Sequence, residues 1–225
     1  GCSNPHPHGQ IWALDYVPTE PMKVMKSMHE FSADPANEHA PGPRHPHGRP
    51  HLLLAYAHME LHAPGRPRVV TLNHDFVALV PFWAVWPFEI MVLPYKRFLG
   101  SLQDFTEAEI SSLAHILGEV TCRYDNLFRT SFPYSMGIHQ KPVPHAQDSL
   151  ALYALFHIHF YPPLLRSATV RKFLVGYVFL HASLTLGLKC WQSHNGISPQ
   201  KVRRKDYEHA IRHTTSPVTR VHNML

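Results

Sequence analysis

The sequence predicts an α+β fold in which an antiparallel sheet packs against one long helix. Short apolar runs rich in β-branched residues lie at 68–72, 75–80 and 90–93, as in strands. Apolar residues at helical intervals follow a capping-box pattern over 106–128. A last run, 154–161, alternates between two faces, as a strand does.

The segments before the sheet differ in composition. Residues 1–28 open with a His-Pro motif, continue through the apolar stretch 11–14 and reach the breaker Pro18. Residues 29–51 contain five prolines and five histidines with few apolar residues, which is typical of a linker or loop. We therefore expect no contribution to a core from 29–51, and structure resumes at Leu52.

Local signals fix the ends of the predicted elements. Asn73-His74 is a turn signal between the first two strands and favours antiparallel pairing, and Pro94 ends the third strand. Thr106 and Glu109 have the spacing of a capping box at the start of the helix. The helix positions expected on its apolar side are Ile110, Leu113, Ala114, Leu117, Val120, Thr121 and Tyr124. Pro162-Pro163 stops the last strand.

Composition excludes several classes of protein. The 225 residues are 44% apolar and 16% charged, enough for one ordinary core or two small ones, so wholesale disorder is excluded. Cys2, Cys122 and Cys190 form no CxxC pair and no even-numbered framework. This argues against a disulfide scaffold and a sulfur-ligated zinc finger, and it fits a reducing compartment.

Charge and hydropathy bear on partners and location. The net charge of +5 comes largely from the C-terminal third, where Lys201, Arg203, Arg204 and Lys205 cluster. Such a cluster can contact nucleic acid or anionic lipid, but it is more often a solvated tail, so no nucleic-acid partner is expected. The apolar stretch 173–188 is shorter than the roughly 20 residues of a membrane span. With no apolar signal region at the start, we expect a cytoplasmic protein without a membrane partner.

The first motif with chemical potential is Pro5-His6-Pro7-His8-Gly9-Gln10. In an extended segment, His6, His8 and Gln10 project to one face. A neutral imidazole is a competent nucleophile towards phosphorus, a neighbour can fix its tautomer, and Gly9 permits close approach of a substrate. The alternative is an ordinary polar loop in a histidine-rich chain.

A second copy of the same four letters provides an internal control. His45-Pro46-His47-Gly48 lies among prolines, has no apolar strand after it, and has Arg49 in place of the glutamine, so it is interpreted as a loop. The remaining isolated histidines are expected to be surface or hydrogen-bonded structural residues. They are His29, His39, His51, His58, His62, His74, His115, His145, His181, His194, His209, His213 and His222.

The second constellation consists of His157 and His159 on one strand face, with His139 upstream. Two histidines in an apolar strand are costly to bury unless they are hydrogen-bonded or ligated. With a third imidazole from a neighbouring strand they could hold zinc or iron. Hydrogen-bonded core histidines are the alternative, and spacing alone does not locate a fourth ligand.

The third constellation is the basic segment 162–177, in which Arg166, Arg171 and Lys172 precede Tyr177. Cations, small hydroxyls and a tyrosine suit an anionic sugar or phosphate ligand. Basic residues after a strand also commonly just face solvent.

Four stretches of the chain resemble the galactose-1-phosphate uridylyltransferase family of the histidine-triad superfamily. They include these motifs and lie at 1–13, 75–93, 124–139 and 156–177. The resemblance implies a histidine-triad-like antiparallel sheet with its packed helix, preceded by the remnant of a second such domain. It divides the chain into the end of an N-terminal domain at 1–28, a linker at 29–51, a C-terminal domain at 52–177 and a divergent tail at 178–225.

The resemblance also implies a two-step exchange through a uridylyl-histidine. His8 attacks UDP-glucose and releases glucose 1-phosphate, and galactose 1-phosphate then takes the uridylyl group to give UDP-galactose. His6 supports the nucleophile and in some members ligates a second metal. Ser3 and Gln10 match residues that bind the phosphates. A homodimer with shared active sites is expected.

Two further sets of residues are matched by the resemblance. His139, His157 and His159 match three ligands of a structural zinc or iron. The hexose-binding loop is matched by Lys172, Val175 and Tyr177.

Departures from the family pattern predict low or absent activity. The glutamate that members place sixteen residues after the nucleophile, the fourth metal ligand, is Val24 here, and the glutamate of the hexose loop is Val178. We expect the resemblance to stop after Tyr177 and the N-terminal part of the family fold to be absent before Gly1, which a frame shift, a retained intron or an incomplete gene model would explain.

Two other functions stay open on the sequence. A histidine-triad nucleotide hydrolase or phosphorylase is one, although that hydrolase branch favours a histidine where Gln10 stands. The other is a non-enzymatic histidine-rich metal-binding protein or a defective gene product.

Overall fold

The fold is a five-stranded antiparallel sheet covered on both faces by helices. The computed structural model describes residues 14–84, 87–132, 134–143 and 149–162. The strands run in the order β1-β2-β3-β5-β4. Their bounds are Val69–Leu72 for β1, Phe76–Leu79 for β2, Ile90–Pro94 for β3, Ser135–His139 for β4 and His157–Tyr161 for β5. The predicted α+β class and the antiparallel pairing are confirmed.

The sheet separates two apolar layers, as its alternating residues require. On one face Ile158 and Phe160 of β5 pack with Ile90 and Val92 of β3. On the other face Met91 and Leu93 pack with helices from the first half of the chain. His159 pairs with Met91 across the ladder, so the β5 histidines point to this second face. All five β5 residues are buried because both faces of the strand are covered.

The long helix α3, Glu107–Phe128, covers the first face. Thr106 accepts a hydrogen bond from Glu109 N–H, and the Glu109 carboxylate accepts one from Thr106 N–H, which confirms the predicted capping box. The helix ends where Arg129 takes a left-handed conformation, with φ of 53°. Leu113, Val120 and Tyr124 are buried as expected, Ile116 is buried although it was not among the expected positions, and Ala114 is exposed. Ile110, which was also expected on the apolar side, is 52% exposed.

Two helices cover the second face. They are α1, Thr19–Ala33, and α2, Leu52–His62. The sequence predicted that regular structure resumes at Leu52, but it did not predict a helix there. The reason is that the first six residues of α2 are all buried and show no helical periodicity. No helix within the described ranges is long and apolar enough to cross a membrane.

The expectation that residues 29–51 contribute nothing to the core is wrong. Helix α1 extends to Ala33, and Phe31, 5% exposed, packs in the core beneath the second face. His45 and His51 are 3% and 1% exposed. Their Nε2 atoms lie 2.9 Å from the carbonyl oxygens of Leu152 and Tyr153. The proline and histidine content of the segment does not indicate this burial, because the Nε2 bond of each imidazole goes to backbone that is distant in the sequence.

The second His-Pro-His-Gly copy is a turn, as predicted. Gly48 N–H donates to His45 O at 2.8 Å, and Arg44 and Pro50 form an isolated bridge across it. The predicted last strand begins at His157 rather than 154, because Ser149–Tyr153 form a 3₁₀ turn and Phe156 N–H donates to Leu99 O. The proposed division into a domain end, linker, second domain and tail stays a prediction.

Candidate functional site

Three histidine rings meet where β4 and β5 pair. His139 lies opposite His157 in the ladder, and their ring centroids are 4.7 Å apart with planes 11° from parallel. The His159 ring stands nearly perpendicular to both, at 5.3 Å from His157 and 5.4 Å from His139. The structure therefore brings together the three residues that the sequence singled out as metal ligands. Their role stays a prediction.

Burial and hydrogen bonding determine the protonation of His157. His157 is 2% exposed, and its Nδ1 lies 2.7 Å from Leu155 O. A carbonyl only accepts, so Nδ1 carries the proton and Nε2 carries a lone pair. Burial first, and then His159, lower the pKa of His157 to about 3, although the Leu155 bond opposes them. The ring is therefore neutral near pH 7, the form that ligates metals.

The buried nitrogens on β5 point to an incomplete polar network. His157 Nε2 and both ring nitrogens of His159 have no hydrogen-bond partner among the residues that the structure describes. Buried polar atoms in this state are uncommon in folded proteins and call for an ion, a water or a ligand. Imidazole nitrogen is a donor that suits zinc or iron.

A buried carboxylate, which the sequence analysis missed, lies beside the cluster. Glu89 is fully buried, with Oε1 3.7 Å from His159 Nδ1. The Tyr161 ring stacks on His159 at 5.3 Å, and burial, followed by the Glu89 charge, raises the pKa of Tyr161. A carboxylate at the start of the apolar strand β3 was the available signal, but its proximity to His159 depends on the pairing of β3 with β5.

Two of the three histidines line a cavity of about 510 Å³. The lining includes His139 and His157 together with Val24, Met25 and Met28 of α1. Val24 is the position at which the resemblance expects a glutamate ligand. The structure thus places an apolar side chain in the lining of the cavity that His139 and His157 also line.

The ligand set for a metal is incomplete in the residues present. Within the four described ranges, no group of three or more His, Cys, Asp or Glu side chains is arranged to hold a metal ion. Three imidazoles supply suitable donors, but Val24 supplies none.

Most other residues singled out by the sequence lie outside the described ranges. These are Ser3, His6, His8, Gln10, Lys172, Val175, Tyr177 and Val178.

Sequence comparison identifies the family. The family model described as galactose-1-phosphate uridyl transferase, C-terminal domain, matches residues 35–187. The chain belongs to the galactose-1-phosphate uridylyltransferase family. The family match runs past Tyr177, where the sequence analysis expected the resemblance to stop.

Curated members of this family align with most of the chain. It is 52% identical to the galactose-1-phosphate uridylyltransferase of Kluyveromyces lactis over 180 residues, which are 80% of this chain and 44% of that protein. It is 43% identical to the enzyme of Rattus norvegicus over 180 residues, 80% of this chain and 43% of that protein. The chain therefore spans less than half the length of these relatives.

Solved structures show the same fold. A structure described as that of uridylyltransferase has a TM-score of 0.59 and 24% identity and covers 94% of this chain and 55% of that one. A uridylyltransferase mutant also has a TM-score of 0.59, with 21% identity over 94% of this chain and 58% of its own. The uridylyltransferase-family chain thus has the fold of these proteins.

Proposed function

We propose that this chain forms part of a nucleotidyltransferase that exchanges uridylyl groups between UDP-glucose and galactose 1-phosphate. The observation that carries the proposal is the 52% identity to a curated galactose-1-phosphate uridylyltransferase over 180 residues. The reaction places the chain in galactose metabolism.

The proposed reaction uses His8 as nucleophile. An imidazole nitrogen attacks the α-phosphorus of UDP-glucose, the bond to the bridging oxygen breaks, and glucose 1-phosphate leaves. A phosphate oxygen of galactose 1-phosphate then attacks the same phosphorus, the P–N bond breaks, and UDP-galactose forms. Imidazole suits both steps because it is both a nucleophile and a leaving group.

The remaining site residues have supporting roles in this proposal. His6 orients His8, and Ser3 and Gln10 hold phosphate oxygens, which stabilises charge on the phosphoryl group during transfer. The hexose 1-phosphate is bound by Lys172, Val175 and Tyr177. A cytoplasmic homodimer with a shared active site completes the proposal.

We further propose that His139, His157 and His159 bind zinc or iron as a structural ion. The close rings, the neutral His157 and the buried nitrogens without partners in the described residues support this assignment. A bound ion would link β4 to β5 through nitrogen ligands from both strands. Val24 occupies the position where the resemblance expects a glutamate ligand, and its side chain has no donor atom. We therefore propose weakened metal binding and low transferase activity.

Intact-mass measurement after incubation with UDP-glucose tests the function. We expect a slowly formed adduct of one uridylyl group that disappears in His8→Ala. The matched control is His47→Ala, which removes the equivalent histidine of the second His-Pro-His-Gly copy and should leave the adduct unchanged. Release of free UMP without an adduct, and without exchange to galactose 1-phosphate, would support the hydrolase alternative and overturn the proposal. An adduct that persists in His8→Ala would refute the assigned nucleophile.

A further inference from the structure

Two histidines lie at the C-terminal end of α2, separate from the cluster of His139, His157 and His159. His58 and His62 are four residues apart, the spacing that stacks side chains on one face of a helix. Their ring centroids are 4.0 Å apart, with planes 21° from parallel. Taken singly, each is an unremarked polar residue, and only the helix brings the two together.

The hydrogen bonding of His62 prepares one nitrogen for a ligand. His62 Nδ1 lies 2.7 Å from the carbonyl oxygen of His58. The carbonyl accepts, so Nδ1 carries the proton and the lone pair is on Nε2. Metal-ligating histidines commonly donate their other ring N–H in this way, which fixes the tautomer and the orientation of the ring.

The surroundings of the pair suit a cation from solution. The His62 side chain is exposed and that of His58 is half-buried, so an ion can reach both. The pair lies at the C-terminal end of α2, where the carbonyl ends of the helix dipole favour positive charge. Partial burial, and then the nearby His62, lower the pKa of His58, which favours the neutral, ligating form.

We propose that His58 and His62 form a bidentate surface site for a divalent transition-metal ion, with water completing the coordination. Imidazole suits Cu²⁺, Ni²⁺ and Zn²⁺, and among these the intrinsic affinity is highest for Cu²⁺. The rings move from stacking to chelation by rotation about their terminal torsions, which have broad minima. The site shares no residue with the histidines of β4 and β5, and it does not depend on the proposed transferase function.

Calorimetric titration of the full chain with Cu²⁺ tests the site. The unmodified chain is compared with each variant, because other histidines can also bind copper. We expect His62→Gln and His58→Gln each to weaken one binding event at least tenfold or to remove it. The control is His74→Gln, another exposed histidine, which should leave that event unchanged. Circular dichroism verifies that the helices are retained.

A spacing variant separates chelation from histidine count. His62→Gln combined with Ala63→His keeps the number of histidines but moves the second ring five residues from the first, off the shared face. We expect it to bind Cu²⁺ as weakly as His62→Gln. Binding equal to that of the unmodified chain in the spacing variant, or in both single variants, would overturn the proposal.

Discussion

The rings of His139 and His157 stack face to face across two paired strands, with centroids 4.7 Å apart. This contact crosses the outer strand pair of the sheet, since β4 lies at the edge next to β5 among the strands that the structure describes. Two imidazoles this close on neighbouring strands can share a bound ion. The arrangement therefore leads to predictions about metal content.

Replacement of His157 and His159 by Asn should remove a bound metal. Elemental analysis of the unmodified chain, after a wash with a weak chelator, should find about one zinc or iron per chain, because a multidentate site outlasts a two-ligand site. The double variant should lose that ion and unfold at lower temperature. His115→Asn, an exposed position on α3, is the control and should retain the metal. Several loosely held ions, lost equally from all variants, would contradict the site.

Val24→Glu should strengthen the same site. The substitution places a carboxylate in the lining of the cavity that His139 and His157 also line, and we expect it to complete the ligand set. We expect metal affinity to rise about tenfold or more, in line with the effect of metal-site groups on binding. Competition with a chromophoric chelator measures the affinity. The rate of adduct formation from UDP-glucose should rise with it.

Val24→Gln is the matched control for that experiment. It has nearly the same shape but no charge, and it is a poorer ligand for zinc, so it should leave the affinity nearly unchanged. Without metal, Val24→Glu should destabilise the fold by about 1–3 kcal/mol, the usual penalty for an unsatisfied buried polar group. Equal metal affinity in the Glu and Gln variants would show that position 24 does not contribute a ligand.

His51 should make the fold sensitive to mild acid. Burial lowers the pKa of His51 to about 4, more than the Tyr153 hydrogen bond raises it, against 6.5 for the exposed ring of the unfolded chain. Between these values the unfolded state binds a proton that the folded state excludes. Stability is therefore fully present above pH 6.5 and falls by about 1.4 kcal/mol per pH unit as the pH drops towards 4.

Urea unfolding at several pH values measures this effect. His51→Gln keeps a side-chain N–H that can donate to Tyr153 O and removes the titrating group, so it should flatten the slope between pH 6.5 and 4 by about one proton equivalent. His115→Gln should leave the slope as it is. A slope that is the same in His51→Gln and in the unmodified chain would refute the assignment.

The strands and the long helix could be predicted because their signals are local. β1, β2 and β3 each combine β-branched or apolar residues with a nearby turn or proline, and α3 begins at a capping box whose two hydrogen bonds lie within four residues. The family resemblance is also local, since it rests on continuous motifs. The sequence could not reveal α2, because a helix buried on nearly all sides loses its period.

What the sequence by itself determined was the sheet, its capped helix and the choice of His139, His157 and His159 from twenty histidines. Tertiary structure alone placed Glu89 beside His159, put Val24 in the lining of the cavity that His139 and His157 share, and buried His51. The physical reason is that backbone periodicity and capping are set by neighbours in the chain. Burial and side-chain contacts are set by the packing of segments far apart in it, which leaves no periodic trace in the sequence.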